Sequence, residues 1–222
     1  MLLTHDIWIM IGQGTISTLY MTLVSTFLGY VIGLPMGITL AVTDRNGLKP
    51  NLAVYKIFDF IANTVRSIPF LILLILLIPL TRLLVGKSYG STATIVPLVI
   101  AAAPFIARMV ESSLKEVDSG VIEAAQSMGA GTGNIILKVL LPEARVSLVV
   151  GMTIAVGTIF GYSAMAGVVG GGGLGDIAIR YGYYRYQTDI MIVTIVILVI
   201  LVQILQEIGM RVSKKVDRRV RN

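Results

Sequence analysis

Five long apolar blocks, separated by short polar stretches, dominate the sequence: about 15–42, 61–85, 91–110, 147–169 and 190–210. Each is long enough, or nearly so, to cross the roughly 30 Å hydrocarbon core of a bilayer as an α-helix. The last is the cleanest, with no charged residue from Ile190 to Gln206. The blocks predict an all-α, polytopic membrane protein with five transmembrane helices, built as a single transmembrane domain over 1–222.

Small residues and prolines within the blocks say how the helices meet. Gly29, Gly33 and Gly37 form two overlapping GxxxG units in the first block, and Gly157 and Gly161 form another in the fourth. Such spacing lets two helix backbones approach closely, so these five glycines are expected at helix–helix contacts. Pro35 in the first block and Pro69 and Pro79 in the second predict kinks, and Pro97 and Pro104 punctuate the third.

Composition agrees with a lipid environment. The 222 residues are 55% hydrophobic and only 14% charged, against about 25% charged in an ordinary soluble domain. The net charge of +6 is not the footprint of a nucleic-acid binder. Arg211, Lys214, Lys215, Arg218, Arg219 and Arg221 crowd a basic tail, 211–222, behind the last apolar block and without interleaved aromatics. Basic residues also gather in the first loop (Arg45, Lys49, Lys56) and around the central one (Arg108, Lys115, Lys138, Arg145). The opposite side holds only Arg82, Lys87, Arg180 and Arg185. By the positive-inside rule the tail and central loop are cytoplasmic and the N-terminus is outside. With no cysteine, disulfides and thiolate-held metals are excluded. The first fourteen residues lack a basic start and carry Asp6, which makes a poor signal peptide.

The polar central loop, about 111–144, is longer than a simple connection requires. Asp118 or Ser119 is placed to cap a short helix holding Glu123 in its first turns. Gly129 should end or bend that helix, a second amphipathic stretch should begin near Asn134, and Pro142 should stop it. Taken alone, such a helical hairpin suits either a partner or a lipid surface.

The spacing Glu123-Ala124-Ala125, three residues, Gly129, nine residues, then Val139-Leu140-Leu141-Pro142 resembles the EAA loop of type I ABC-importer permeases. Val139 stands where isoleucine is commoner. The resemblance implies that Glu123, Ala124, Ala125, Gly129, Ala130, Asn134, Leu141 and Pro142 couple the chain to a separate ATPase. Two other passages carry the likeness further. Arg66-Ser67-Ile68-Pro69-Phe70 is similar to the start of the same helix in amino-acid importers. Gly161 to Gly167, Gly170 to Gly175 and Tyr181-Gly182-Tyr183 resemble methionine-importer permeases, although Ala166 stands where that family more often has glycine.

The family likeness implies a homodimeric permease in a bacterial inner membrane, served by two ABC ATPase subunits and by an external substrate-binding protein or lipoprotein. It implies no cofactor on this chain, ATP and Mg being bound by the partner ATPase, and no metal site. Met165, beside Tyr162 and Ser163 near the end of the fourth block, is expected at a gate, because a flexible thioether both seals a constriction and yields.

Other chemistry finds little support in the chain. The run Gly170 to Gly173 has no following Lys-Ser or Lys-Thr and fails as a nucleotide loop, so a turn or re-entrant linker is the better reading. Neither H-E-x-x-H nor G-x-S-x-G is present. No carboxylate lies mid-block, where a proton- or sodium-coupled carrier would place one. An importer of another amino acid or small solute remains the nearest alternative. An ATP-independent channel, a secondary transporter, a membrane enzyme and a scaffold stand further off.

Overall fold

The computed structural model describes residues 5–217, and among these every regular element is helical. The basic residues beyond 217 lie outside the described part. The elements are α1 (His5–Thr43), α2 (Leu52–Ser67), α3 (Phe70–Leu76), α4 (Ile78–Val85), α5 (Ser91–Lys115), α6 (Ser119–Ser127), α7 (Thr132–Ile135), α8 (Leu141–Glu143), α9 (Arg145–Ala166), α10 (Gly173–Ile177) and α11 (Thr188–Val216). Helices α1, α5, α9 and α11 are each long and apolar enough to cross a membrane, and the bent pair α2–α3 supplies a fifth candidate when its two helices are taken as one span.

The long hairpin α1–α5 is the spine of the molecule. Gly29, Gly33 and Gly37 lie directly on α5, where a methyl group at each would press on Ala102, on Ala103 and Ile106, and on Ala107 and Val110. The expected glycine seam therefore exists, with α5 as its partner. Helix α9 closes the core from the other side, and Met21, Leu98, Ile106, Val110, Ala155 and Ile159 are fully buried between the three. In the fourth block the pair divides. Gly157 faces Gln206 of α11, but a side chain at Gly161 would meet nothing within 4 Å, so Gly161 packs no helix inside this protomer.

The second apolar block, expected as one run over 61–85, is three pieces: the end of α2, then α3 and, after a break at Leu77, α4. Helix α2 begins nine residues earlier, at Leu52, and turns through 102° into α3. Pro69 is the cause, since it lacks an N–H and forces the residue before it out of the α region. Ile68 is extended, at φ −82° and ψ 124°. Pro35, Pro97 and Pro104, in contrast, sit inside unbroken helices.

A ladder of charges ties α2 and the α1–α2 loop to the end of α5. Arg108 bonds Asp59 and reaches Glu111 at 2.7 Å, and Lys115 bridges Glu111 at 2.8 Å and Asp44 at 2.7 Å. The Tyr55 hydroxyl donates to Glu111, whose side chain is almost wholly buried. Two cations and a hydroxyl satisfy that carboxylate, as burial of a charge demands. The Lys115 ammonium also holds the Asp44 carboxyl below its ordinary pKa by hydrogen bonding to it.

The glycine run 170–173 is a folded-back linker. Gly170, Gly172 and Gly173 have positive φ, and the chain then tucks under α1, with the Leu174 N–H donating to the Thr18 hydroxyl at 2.8 Å. The Thr94 hydroxyl donates to the Gly171 carbonyl and fastens the same segment to α5.

Candidate functional site

The segment between α5 and α9 is a compact helical hairpin at the end of the bundle that carries the chain's basic C-terminal stretch. Asp118 caps α6 by accepting the Gly120 N–H at 2.7 Å. Helix α6 closes in a Schellman motif. The Ala130 N–H reaches back to the Ala125 carbonyl at 3.1 Å, the Gly129 N–H bonds the Gln126 carbonyl at 2.9 Å, and Gly129 takes φ +78°. That geometry needs a residue tolerant of the left-handed region at Gly129. It also brings Ala125 and Ala130 together in the core. The spacing of the Ala-Ala-x3-Gly motif is thus the spacing of a helix end.

Beyond the turn the chain re-enters helix at Thr132 and does not stop at Pro142, contrary to the expectation from sequence. Residues 136–140 widen into a π-turn, with the Leu141 N–H bonding the Ile136 carbonyl, and α8 carries Pro142 in its first turn. In a regular α-helix the proline ring would press on the carbonyl four residues back, and a widened turn relieves that clash. The chain then passes through Ala144 into α9 with its backbone bonds kept. The hairpin is therefore joined rigidly to a membrane helix.

Burial divides the eight motif residues. Ala125 is buried and Ala130 and Leu141 are half-buried, all three packed in the core, while Glu123, Ala124, Gly129, Asn134 and Pro142 are exposed. Glu123 and Gln126 line a groove with Leu48, Leu114, Lys115 and Ile122. Two residues the motif did not mark stand out at the tip: Met128 is 81% exposed and Leu137 67%. A large apolar side chain isolated among polar residues was the signal available for Met128, whereas Leu137 lies in the largely apolar run 135–141 and nothing in the sequence set it apart. Around them Gly129, Gly131 and Gly133 have no heavy atom within 4 Å of a built methyl group. The tip is thus an exposed apolar knob ringed by bare backbone.

The three residues expected at a gate are not together. Met165 is 53% exposed, on a row of α9 that also carries Ile154, Thr158 and Gly161. Tyr162 is half-buried and stacks flat on Phe70, with ring centroids 4.4 Å apart. Ser163 is buried, donating to the Phe160 carbonyl at 2.7 Å and facing the Thr22 hydroxyl. One residue is about 100° of helix rotation, which turns Ser163 away from the Met165 row and into the α1–α9 seam. Arg66, in the last turn of α2 beside the break, is exposed.

Comparison with known proteins agrees with this geometry. The family described as binding-protein-dependent transport system inner membrane component matches residues 33–222. The probable D-methionine transport system permease protein MetI of Vibrio cholerae is 51% identical over 205 residues, 92% of this chain and 91% of that protein. Its counterpart in Pasteurella multocida is 42% identical, covering 98% of this chain and 100% of the relative. A chain of the methionine ABC transporter MetNI, crystallised in inward-facing conformations, superposes with a TM-score of 0.95 at 48% identity. That match covers 97% of this chain and 100% of the other. A chain of an amino acid ABC transporter crystallised with histidines reaches a TM-score of 0.71 at 22% identity, a likeness of fold alone. Five membrane crossings, a rigid helical hairpin and relatives of this identity have one meaning: the chain belongs to the family of binding-protein-dependent transport system inner membrane components, as a multi-pass permease subunit of an ABC transporter and not an enzyme.

Proposed function

We propose that the chain forms the translocation path of a methionine importer as a homodimer, and that it is driven by two ABC ATPase subunits seated on the α6–α8 hairpin. The observation that carries this reading is the hairpin tip. Met128 and Leu137 protrude among glycines that nothing in the protomer covers, on a unit continuous with α9. A push on such a tip passes into a membrane helix through a helical stretch, 132–166, interrupted only by the turn at Ala144, rather than dissipating in a loop.

In this reading ATP and Mg are held by the ATPase, the hairpin and basic tail lie in the cytoplasm, and the N-terminus lies outside, as the distribution of Lys and Arg supports. An external binding protein delivers the substrate to the far end. Methionine is the substrate by analogy with relatives sharing half of this sequence. Five crossings per copy are too few to enclose a solute path, which favours a two-fold pair with the path on its axis. Purification of the tagged chain together with its ATPase, followed by mass measurement in detergent, is expected to give two copies of each. A one-to-one complex would contradict the dimeric path.

Met165 is the gate in this account, exposed on α9 and facing the axis, where a second Met165 would meet it. Met165→Ala is expected to leave binding-protein affinity unchanged while raising passive leak of small solutes through reconstituted transporter. A tight seal with unchanged transport would remove the gate assignment.

A further inference from the structure

Helix α11 changes character half-way along. Its 29 residues extend about 43 Å, well beyond a hydrocarbon core of about 30 Å. Between Ile190 and Leu201 the exposed side chains are Ile192, Ile195, Val196, Val199 and Ile200, as lipid contact requires. In the second half one face turns polar. Gln203 and Glu207 are exposed one turn apart, flanked by exposed Gln206 and Arg211. The neighbouring face keeps Ile204, Ile208 and Val212 exposed. Gln203 lies about 20 Å from the end of the helix at Val216 and Glu207 about 14 Å from it; since the helix outruns the core by about 13 Å, Gln203 falls inside the core and Glu207 at its edge.

A polar side chain at the depth of Gln203 faces water or protein, because hydrocarbon offers it no partner. Glu207 pairs with Arg211 at 2.7 Å, yet the two side chains remain 61% and 73% exposed, so the pair is open to its surroundings. Helix geometry says what those surroundings are. Helices α9 and α11 run antiparallel and touch where Gly209 lies against Thr153 and Gln206 against Gly157. Counted round each helix from that seam at about 100° per residue, two rows turn to the same side. One is the α9 row of Ile154, Thr158, Gly161 and Met165, and the other is the α11 row of Gln203 and Glu207.

We propose that Gln203, Gln206, Glu207 and Arg211 line the half of the translocation path between Met165 and the coupling hairpin, and give a zwitterionic substrate its way out. The carboxamides offer uncharged hydrogen bonds. The Glu207 carboxylate and Arg211 guanidinium present opposite charges to the ammonium and carboxylate of an amino acid. The ion pair, being exposed, is weak enough to exchange partners. This inference rests on the importer reading given above.

The chain has no cysteine, so single replacements report without background. Gln203→Cys, Glu207→Cys, Ile204→Cys and Ile208→Cys would each be placed in the assembled transporter in inside-out vesicles. Each would be treated with a cationic, membrane-impermeant methanethiosulfonate. Cysteines at 203 and 207 are expected to react at least on the order of tenfold faster than those at 204 and 208, since only a water-filled face admits a charged reagent. Equal rates would overturn the proposal. So would spontaneous disulfides between two copies at 203 with the reagent shut out, which would make this face a seam between helices. The same vesicles, loaded with labelled methionine and the external binding protein, report ATP-driven release of methionine into the medium. No release by the cysteine-free parent defeats the importer reading, whereas slow labelling in a transporting protein defeats the lane alone. Should one variant fail to assemble, the other position carries the same test.

Discussion

Gly133→Trp is expected to abolish ATP-driven transport while leaving the chain folded and in the membrane. Gly133 lies in α7 with ordinary helical backbone, and a methyl group built on it meets nothing within 4 Å. The first carbon of a side chain there therefore displaces no atom of this protomer, and replacing a helical glycine favours the helix by a few tenths of a kcal/mol up to about 1 kcal/mol. All of its cost falls on whatever covers the tip. Gly129→Trp, one turn away, is less clean, because at φ +78° a side chain is strained by about 1 kcal/mol before any partner is considered. If the ATPase seats on this tip, Gly133→Trp should reduce its co-purification and methionine uptake by at least on the order of tenfold, the scale of a blocked interface hot spot. Normal uptake would remove the hairpin from the coupling route.

Gly37→Leu should have the opposite phenotype: the protein itself fails. A Cβ at Gly37 would lie 2.5 Å from the Ala107 carbonyl oxygen and 2.6 Å from the Val110 Cβ. Those atoms belong to the backbone and to a branched side chain of α5, which cannot swing aside. Overpacking a core ordinarily costs about 1–3 kcal/mol. Forcing the two longest-packed helices apart also separates Gly29 and Gly33 from α5, so the loss should reach the upper part of that range or pass it. The expected reading is little or no folded transporter in membranes, and a clearly lowered melting temperature in what remains. Gly12→Leu is the control, since Gly12 on the same helix faces open space. Equal melting temperatures for the two variants would mean that the α1–α5 seam is not what holds the bundle.

Much of this architecture was legible in the chain. Apolar length alone located the crossings, because a bilayer sets a length that a sequence must meet. The EAA spacing marked the hairpin, and the structure supplies the reason: Ala125, Gly129 and Ala130 are positions of one Schellman turn. Three features were out of reach for physical reasons. The α2–α3 bend depended on whether Pro69 would kink a helix or break it, and Pro97 and Pro104 show that the same residue is tolerated in a tightly packed helix. The passage through Pro142 depended on a π-turn, which has no sequence signature. Ser163 was assigned by proximity to Met165 along the chain, but helical phase sends neighbours in sequence to different faces. The charge ladder from Asp59 to Asp44 joins residues far apart in sequence and appears only when α2 folds back on α5.

The central claim is that this chain is the path by which methionine enters the cell. Uptake of labelled L-methionine by energised cells with and without the chain, against a panel of unlabelled amino acids, tests it most directly. The account predicts saturable uptake that depends on the chain and yields only to methionine-like competitors. Methionine uptake indifferent to the chain would contradict it.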